Sequence, residues 1–159
     1  MHLSRIILYT YKFHQMIYTL SFVCSTPYAI PSSEVDVILK AISYKNKIKG
    51  VNGFLIYSQG NIFKVLEGEK EIVEGIFESY KKNALFANLI IIFEQPLKKI
   101  KNHEPAFHSI NHKSVIDIDK LTRNLMNRNS CLLNVIKEVL KAFNKRILNK
   151  NEKHLFLND

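Results

Sequence analysis

The chain has 159 residues, of which 47% are hydrophobic, so it can bury the core of one domain and a disordered or fibrous protein is excluded. No apolar run is long enough to cross a bilayer, and no cleavage site follows the N-terminal stretch, which argues against a membrane protein and a signal peptide. The formal net charge of +9 raises the question of an anionic partner, and residues 113–159 contribute ten Lys and Arg against five Asp and Glu.

The two cysteines, Cys24 and Cys131, are far apart and have no C-x-x-C or metal-ligand spacing. We therefore expect reduced cysteines, a cytoplasmic location and no metal site. The six histidines are scattered, and no nucleophile belongs to a set with a base and an orienting group. We expect a protein that is not an enzyme.

The first clear element is a strand. Residues 1–15 are interpreted as an extension or an extra strand before it. Met16–Thr26 alternates two sets of side chains that are apolar on both faces, which predicts a strand in the middle of a sheet.

A helix is predicted after the first strand. Pro31 ends a turn, Ser32 or Ser33 is expected to cap the helix, and the helix runs toward Asn46. Gly50 follows as the stop signal.

Two strand-like runs, Gly53–Tyr57 and Ile62–Leu66, are joined by a tight turn whose Gly and Asn suit positive φ, which predicts a hairpin. Glu67–Glu69 is expected to open a second helix, because acidic residues favour the first turn. Asn88–Glu94 is predicted to be the next strand.

The fold class is therefore α/β (α+β), a ferredoxin-like β-α-β-β-α-β sheet. A fifth strand near Phe107–His112 is weakly signalled, and two helices, Ile118–Met126 and Leu132–Ile147, follow. We divide the chain into the extension, a domain over residues 16–112 and a helical cap over 113–159. The cap is expected to cover the sheet face opposite the crossover helices with an apolar stripe: Leu132, Val135, Val139, Leu140 and Phe143.

The segment Gly53–Gly68 (GFLIYSQGNIFKVLEG) resembles the hairpin of BLUF domains, and the similarity runs from Ile17 to about Ile110. The resemblance implies a blue-light receptor that holds FAD between the two crossover helices. In that family a Tyr on the first strand and a Gln on the third carry out the photochemistry.

Both photochemical positions differ in this chain. The Tyr position falls on Phe22, which has no hydroxyl, and the Gln position falls on Lys64, which can only donate. The Trp and Met of the family's fifth strand fall on His108 and Ile110. We therefore expect an impaired photocycle.

The resemblance also implies flavin contacts from the first helix, where Asn46 matches the family's ring-contacting Asn. Asn46 could equally be a helix C-cap. Lys64 could bind a flavin carbonyl or another anionic ligand, or its amine could reach solvent along a collapsed pocket. In that family an Arg-His pair lies near the flavin phosphates, and the corresponding positions in this chain are Leu85 and Phe86. The candidate cofactor-binding residues are Phe22, Ile42, Lys45, Asn46, Lys64, Leu66 and Lys82.

Three functions remain open at this point. The first is an FAD-binding sensory domain that signals to a protein partner through the C-terminal helices, with homo-oligomerisation left open. The second is a flavin-free protein-interaction module. The third is RNA binding, which has the weakest support. Lys49-Gly50 and Phe54–Tyr57 resemble an RNP1 motif, but they fall on the second strand rather than the third. No aromatic residues that could stack on bases alternate with the basic residues of the tail.

Overall fold

The computed structural model describes residues 16–28, 30–98, 104–111, 113 and 115–155, so the predicted extension over 1–15 lies outside the described residues. Its core element is one five-stranded sheet with the order β4-β1-β3-β2-β5, in which β5 runs parallel to β2 and the other pairs are antiparallel. The strands are β1 (Ile17–Ser25), β2 (Asn52–Ser58), β3 (Asn61–Glu69), β4 (Ala87–Leu97) and β5 (Phe107–Asn111).

The predicted ferredoxin-like order and the weakly signalled fifth strand are confirmed. β1 pairs with β3 on one side and β4 on the other, so the predicted central position of the first strand is also confirmed.

Four helices cover the two faces of this sheet. They are α1 (Ser32–Ile48), α2 (Lys70–Lys82), α3 (Ile118–Arg123) and α4 (Ser130–Leu155). Helices α1 and α2 pack on one face and α3 and α4 on the other, which gives two separate apolar clusters. Among the described residues, no helix is long and apolar enough to span a membrane.

Side-chain alternation along β3 assigns its residues to the two clusters. Lys64 and Leu66 lie on the face of α1 and α2, whereas Phe63 and Val65 lie under the C-terminal helices. Both faces of β2 are covered as well, and Phe54 is 1% exposed. The RNP1 interpretation is therefore wrong, because an RNA-reading strand needs exposed aromatic rings.

Two predicted helix starts need correction. Glu67–Glu69 completes β3, because β1 is long enough to pair with all three residues, and of the three only Glu69 belongs to the start of α2, as its N-cap. Pro31, rather than Ser32 or Ser33, occupies the N-cap of α1, and it makes no side-chain capping bond. In the hairpin turn, Gln59 and Gly60 have the positive φ values, of 48° and 80°.

The C-terminal cover lies where it was predicted, but the apolar stripe of α4 was misassigned in part. Ile136, Leu140 and Phe143 are buried in the cluster, whereas Leu132 and Val135 are only half-buried and lie outside it. The cause is that several helical stripes can be drawn through a sequence with apolar residues at 132, 133, 135, 136, 139 and 140.

A buried carboxylate joins this cover to the sheet. Glu67 accepts hydrogen bonds from the Asn52 amide at 2.7 Å, from the Asn127 backbone amide at 2.8 Å and from the Met126 backbone amide. The link between α3 and α4 is thereby fixed to β3.

Candidate functional site

A cavity of about 310 Å³ lies between α1 and α2, on the sheet face that they cover. Its volume is at the lower end of the range for ligand sites. Of the candidate cofactor-binding residues, Ile42, Lys45, Asn46 and Lys64 line it. The structure therefore brings these four together.

Lys64 is the unusual residue of this cavity, because its side chain is 0% exposed. Its Nζ donates to the Tyr80 hydroxyl at 3.0 Å and lies 4.3 Å from the Tyr80 ring centroid and 5.3 Å from that of Phe107. The interpretation that its amine reaches solvent is therefore wrong.

The ammonium of Lys64 has no carboxylate partner in the ion pairs of the described residues. Burial lowers the pKa of Lys64 to about 7, while burial raises the pKa of Cys24 to about 12 and also raises the pKa of Tyr80. Its neighbours are thus uncharged at neutral pH. The Tyr80 hydroxyl and the faces of the Tyr80 and Phe107 rings are the groups that compensate the buried ammonium for its lost hydration.

Phe22 lies directly opposite Lys64 in the pairing of β1 with β3 and is also fully buried. Its ring makes edge contacts with Phe77, at 5.1 Å between centroids, and with Tyr80, at 5.3 Å. The ring fills the core beneath the cavity but offers no donor or acceptor. Position 22 can contribute packing and no hydrogen bond.

Asn46 is a second buried polar group at the cavity. It is 4% exposed, and its Nδ2 has no hydrogen-bond partner. The C-cap interpretation is wrong, because α1 continues to Ile48, Lys49 forms the cap, and Gly50 follows with φ of 70°. A buried amide without an acceptor is costly, which is the usual sign of a missing partner.

The remaining candidates lie elsewhere. Leu66 is fully buried in the same apolar cluster but does not line the cavity, and Lys82 is exposed on α2 away from it. Leu85 and Phe86 line the cavity and leave its far wall apolar. At the rim, Lys45 and Lys49 are the exposed cations.

On β5, neither His108 nor Ile110 lines the cavity between α1 and α2. His108 is exposed, and Ile110 packs toward the C-terminal helices. The side chains that face α1 and α2 are Phe107, near Lys64, and Ser109, whose hydroxyl accepts from that of Ser43 at 2.8 Å.

Sequence reasoning missed the role of Tyr80. The Tyr80 hydroxyl is the hydrogen-bond partner of Lys64, and the Tyr80 ring stacks on the Phe86 ring with 4.3 Å between their centroids. The available signal was its hydroxyl, because a buried Tyr needs a polar partner.

The sequence profile of the BLUF family, described as sensors of blue-light using FAD, matches residues 14–111. The chain belongs to the BLUF family. A comparison with curated proteins gives no match.

Solved structures of BLUF proteins have the same fold. The BlrP1 BLUF structure superposes with a TM-score of 0.63 at 18% identity, covering 81% of this chain and 90% of that one. The Klebsiella pneumoniae BlrP1 complex with calcium and cy-diGMP gives a TM-score of 0.65 at 16% identity, covering 79% of this chain and 34% of that one. A bacterial light-regulated adenylyl cyclase gives a TM-score of 0.55 at 20% identity, covering 85% of this chain and 36% of that one. The chain therefore spans about a third of the first full-length relative.

The polar groups of the cavity fit a flavin. BLUF domains use flavin, and the buried polar atoms that meet here, Asn46 Nδ2 and Lys64 Nζ, are both donors. A flavin ring offers carbonyl oxygens and ring nitrogens as acceptors along one edge. When bound, it would supply light absorption and two-electron redox chemistry.

Proposed function

We propose that this chain is a sensory domain that binds FAD between α1 and α2, does not carry out the family's light reaction, and passes its state to a protein partner. The observation that carries the proposal is the pair of buried donors, Asn46 and Lys64, at one cavity of a BLUF fold. When a flavin edge enters, Asn46 would gain the acceptor that it lacks, and Lys64 would gain an acceptor in addition to the Tyr80 hydroxyl.

The absence of the light reaction follows from the two substituted positions. In the family, the resemblance implies that a Tyr donates and a Gln amide switches between donor and acceptor roles. Phe22 has nothing to donate, and the Lys64 ammonium cannot accept. Both roles are lost together, so restoring one of them is not sufficient.

The partner is expected to contact the C-terminal helices. Solved relatives include proteins named for an activity, such as a bacterial light-regulated adenylyl cyclase, whose chain is more than twice as long as this one. We propose that this domain signals to an effector and carries out no reaction itself. Helix α4 places its apolar stripe on the sheet and leaves basic residues such as Lys141 exposed.

The flavin site is tested by FAD titration followed through flavin fluorescence. Asn46→Leu should weaken FAD binding about tenfold, corresponding to about 1.4 kcal/mol for one lost hydrogen bond. Asn134→Leu changes an exposed Asn on the opposite side of the molecule and is the matched control. Equal binding by both variants would show that the cavity is not the flavin site.

The photochemical part is tested by a light-minus-dark difference spectrum of FAD-loaded protein. The wild type should show no reversible red shift, whereas Phe22→Tyr combined with Lys64→Gln should show one. A reversible shift in the wild type would refute the proposal.

A flavin-free interaction module is the alternative, and one observation favours it. Tyr80 and Phe86 stack on each other at the cavity, and Tyr80 already bonds to Lys64, so part of the space between the helices is filled by the protein's own rings. The FAD titration separates the two functions, because this alternative requires no FAD binding by the wild type.

A further inference from the structure

Lys64 places an ammonium where none of the ion pairs among the described residues supplies it with a negative charge. Its Nζ makes one hydrogen bond, to a neutral phenol, although an ammonium has three hydrogens to donate. The side chain is fully buried, so water does not screen the charge. An anion that entered the cavity would interact with this ammonium far more strongly than with a surface lysine.

We infer that Lys64 makes the cavity bind reduced flavin more tightly than oxidised flavin, so that redox state, rather than light, is the signal that this domain senses. The inference rests on the proposed flavin site. Its basis is geometric: the Lys64 ammonium lines the cavity beside Tyr80 of α2, and Asn46 of α1 lines the same cavity.

The chemistry requires a change of charge on the ligand. Oxidised flavin carries a neutral ring; uptake of two electrons and one proton leaves the ring with one negative charge. A two-electron donor such as a reduced nicotinamide supplies the electrons and is itself oxidised. Lys64 stabilises the ring after this step and not before it, and a charged group beside the ring is a recognised means of tuning its electronics.

Lys45 does not have this selectivity. It is exposed at the rim, where solvent screens its charge. We expect it to meet the phosphates of FAD, whose charge is the same in both redox states, and so to strengthen the binding of both forms equally. Lys49 is exposed at the rim as well, but its charge reaches Lys64 and adds to the lowering of the pKa of Lys64 by burial.

The test compares dissociation constants for oxidised FAD and for dithionite-reduced FAD under anaerobic conditions. We expect the wild type to prefer the reduced form at least tenfold more than Lys64→Met does, which corresponds to a rise of about 30 mV in the two-electron potential. Lys64→Arg keeps the charge and should keep the preference. Lys45→Met should weaken the binding of both forms by the same factor.

The outcomes separate this inference from the proposed function. If the wild type binds neither form of FAD, the proposed function fails and the inference fails with it. If the wild type binds FAD and Lys64→Met shows the same ratio of affinities, the flavin site stands and the redox inference is overturned. Should Lys64→Met fail to fold, the dissociation constants of the wild type and Lys45→Met still decide the question. A wild type that binds reduced FAD no more tightly than oxidised FAD refutes the redox inference.

Discussion

Replacing Lys64 by Met is expected to stabilise the ligand-free protein. Burial holds the pKa of Lys64 at about 7, against an ordinary value of 10.5. At about 1.4 kcal/mol for each pKa unit, charging this group in the folded state costs on the order of 5 kcal/mol. Met has a similar length and no charge. Its introduction leaves the Tyr80 hydroxyl without its partner, which offsets about 1–3 kcal/mol of the gain.

The net gain in the free energy of unfolding should be about 2–4 kcal/mol near pH 6. Its size must depend on pH, because the folded pKa of Lys64 lies below the unfolded one. Below about pH 7 the group is charged in both states and the full cost applies. Between that pH and 10.5 the unfolded chain binds more protons, so the stability of the wild type rises with pH.

Urea denaturation of the wild type and Lys64→Met at two pH values measures this effect. From about pH 6 to about pH 8.5 the wild type should gain about 2 kcal/mol relative to the variant, so the difference between them narrows. Other titrating groups are shared and cancel in the difference. A constant difference across this range, or a less stable variant at pH 6, would refute the view of Lys64 as an uncompensated buried cation.

Three further predictions concern the scaffold. In urea denaturation, Leu140→Ala should lower the free energy of unfolding by about 2–5 kcal/mol, whereas Val135→Ala, at a half-buried site, should lower it by less than about 1 kcal/mol. Equal losses would contradict the packing of the Leu140 side of α4 on the sheet. Gly53→Ala should lower the melting temperature strongly, since φ is 129° and a Cβ would overlap a carbonyl of β3; Gly75→Ala, in open space on α2, should instead add about 0.5–1 kcal/mol. Glu67→Gln should speed hydrogen exchange of the backbone amides that follow α3, and unchanged protection there would show that the carboxylate does not hold this link.

Much of the fold could be predicted because its signals are local. Two-sided apolar character identified β1 as a central strand, and the positive-φ turn identified the hairpin. The errors arose where tertiary pairing decides. Glu67 looks like a helix start by itself, and it becomes a strand residue because β1 offers it a partner.

The candidate site was predictable in part. The strand alternation correctly placed Lys64 between the crossover helices, and the resemblance led to Asn46. Neither could reveal that Tyr80 bonds to Lys64, since that contact depends on how α2 rotates over the sheet. The lysines at the rim were also predicted only in part. Lys49, which was not among the candidates, lines the cavity, whereas the candidate Lys82 does not.

Strand β3 connects the two halves of the molecule. Lys64 faces the cavity, and three residues later on the opposite face Glu67 holds the backbone that links α3 to α4. A strand cannot shift along its neighbours without moving both faces, because the same backbone carries both side chains. A ligand that draws the Lys64 ammonium out of its contact with Tyr80 therefore acts on the strand that fixes the C-terminal cover. In the proposed function, signalling from this cavity needs no light-driven amide switch, and we expect it to use two positions of β3 that differ in their hydrogen bonds at Glu67.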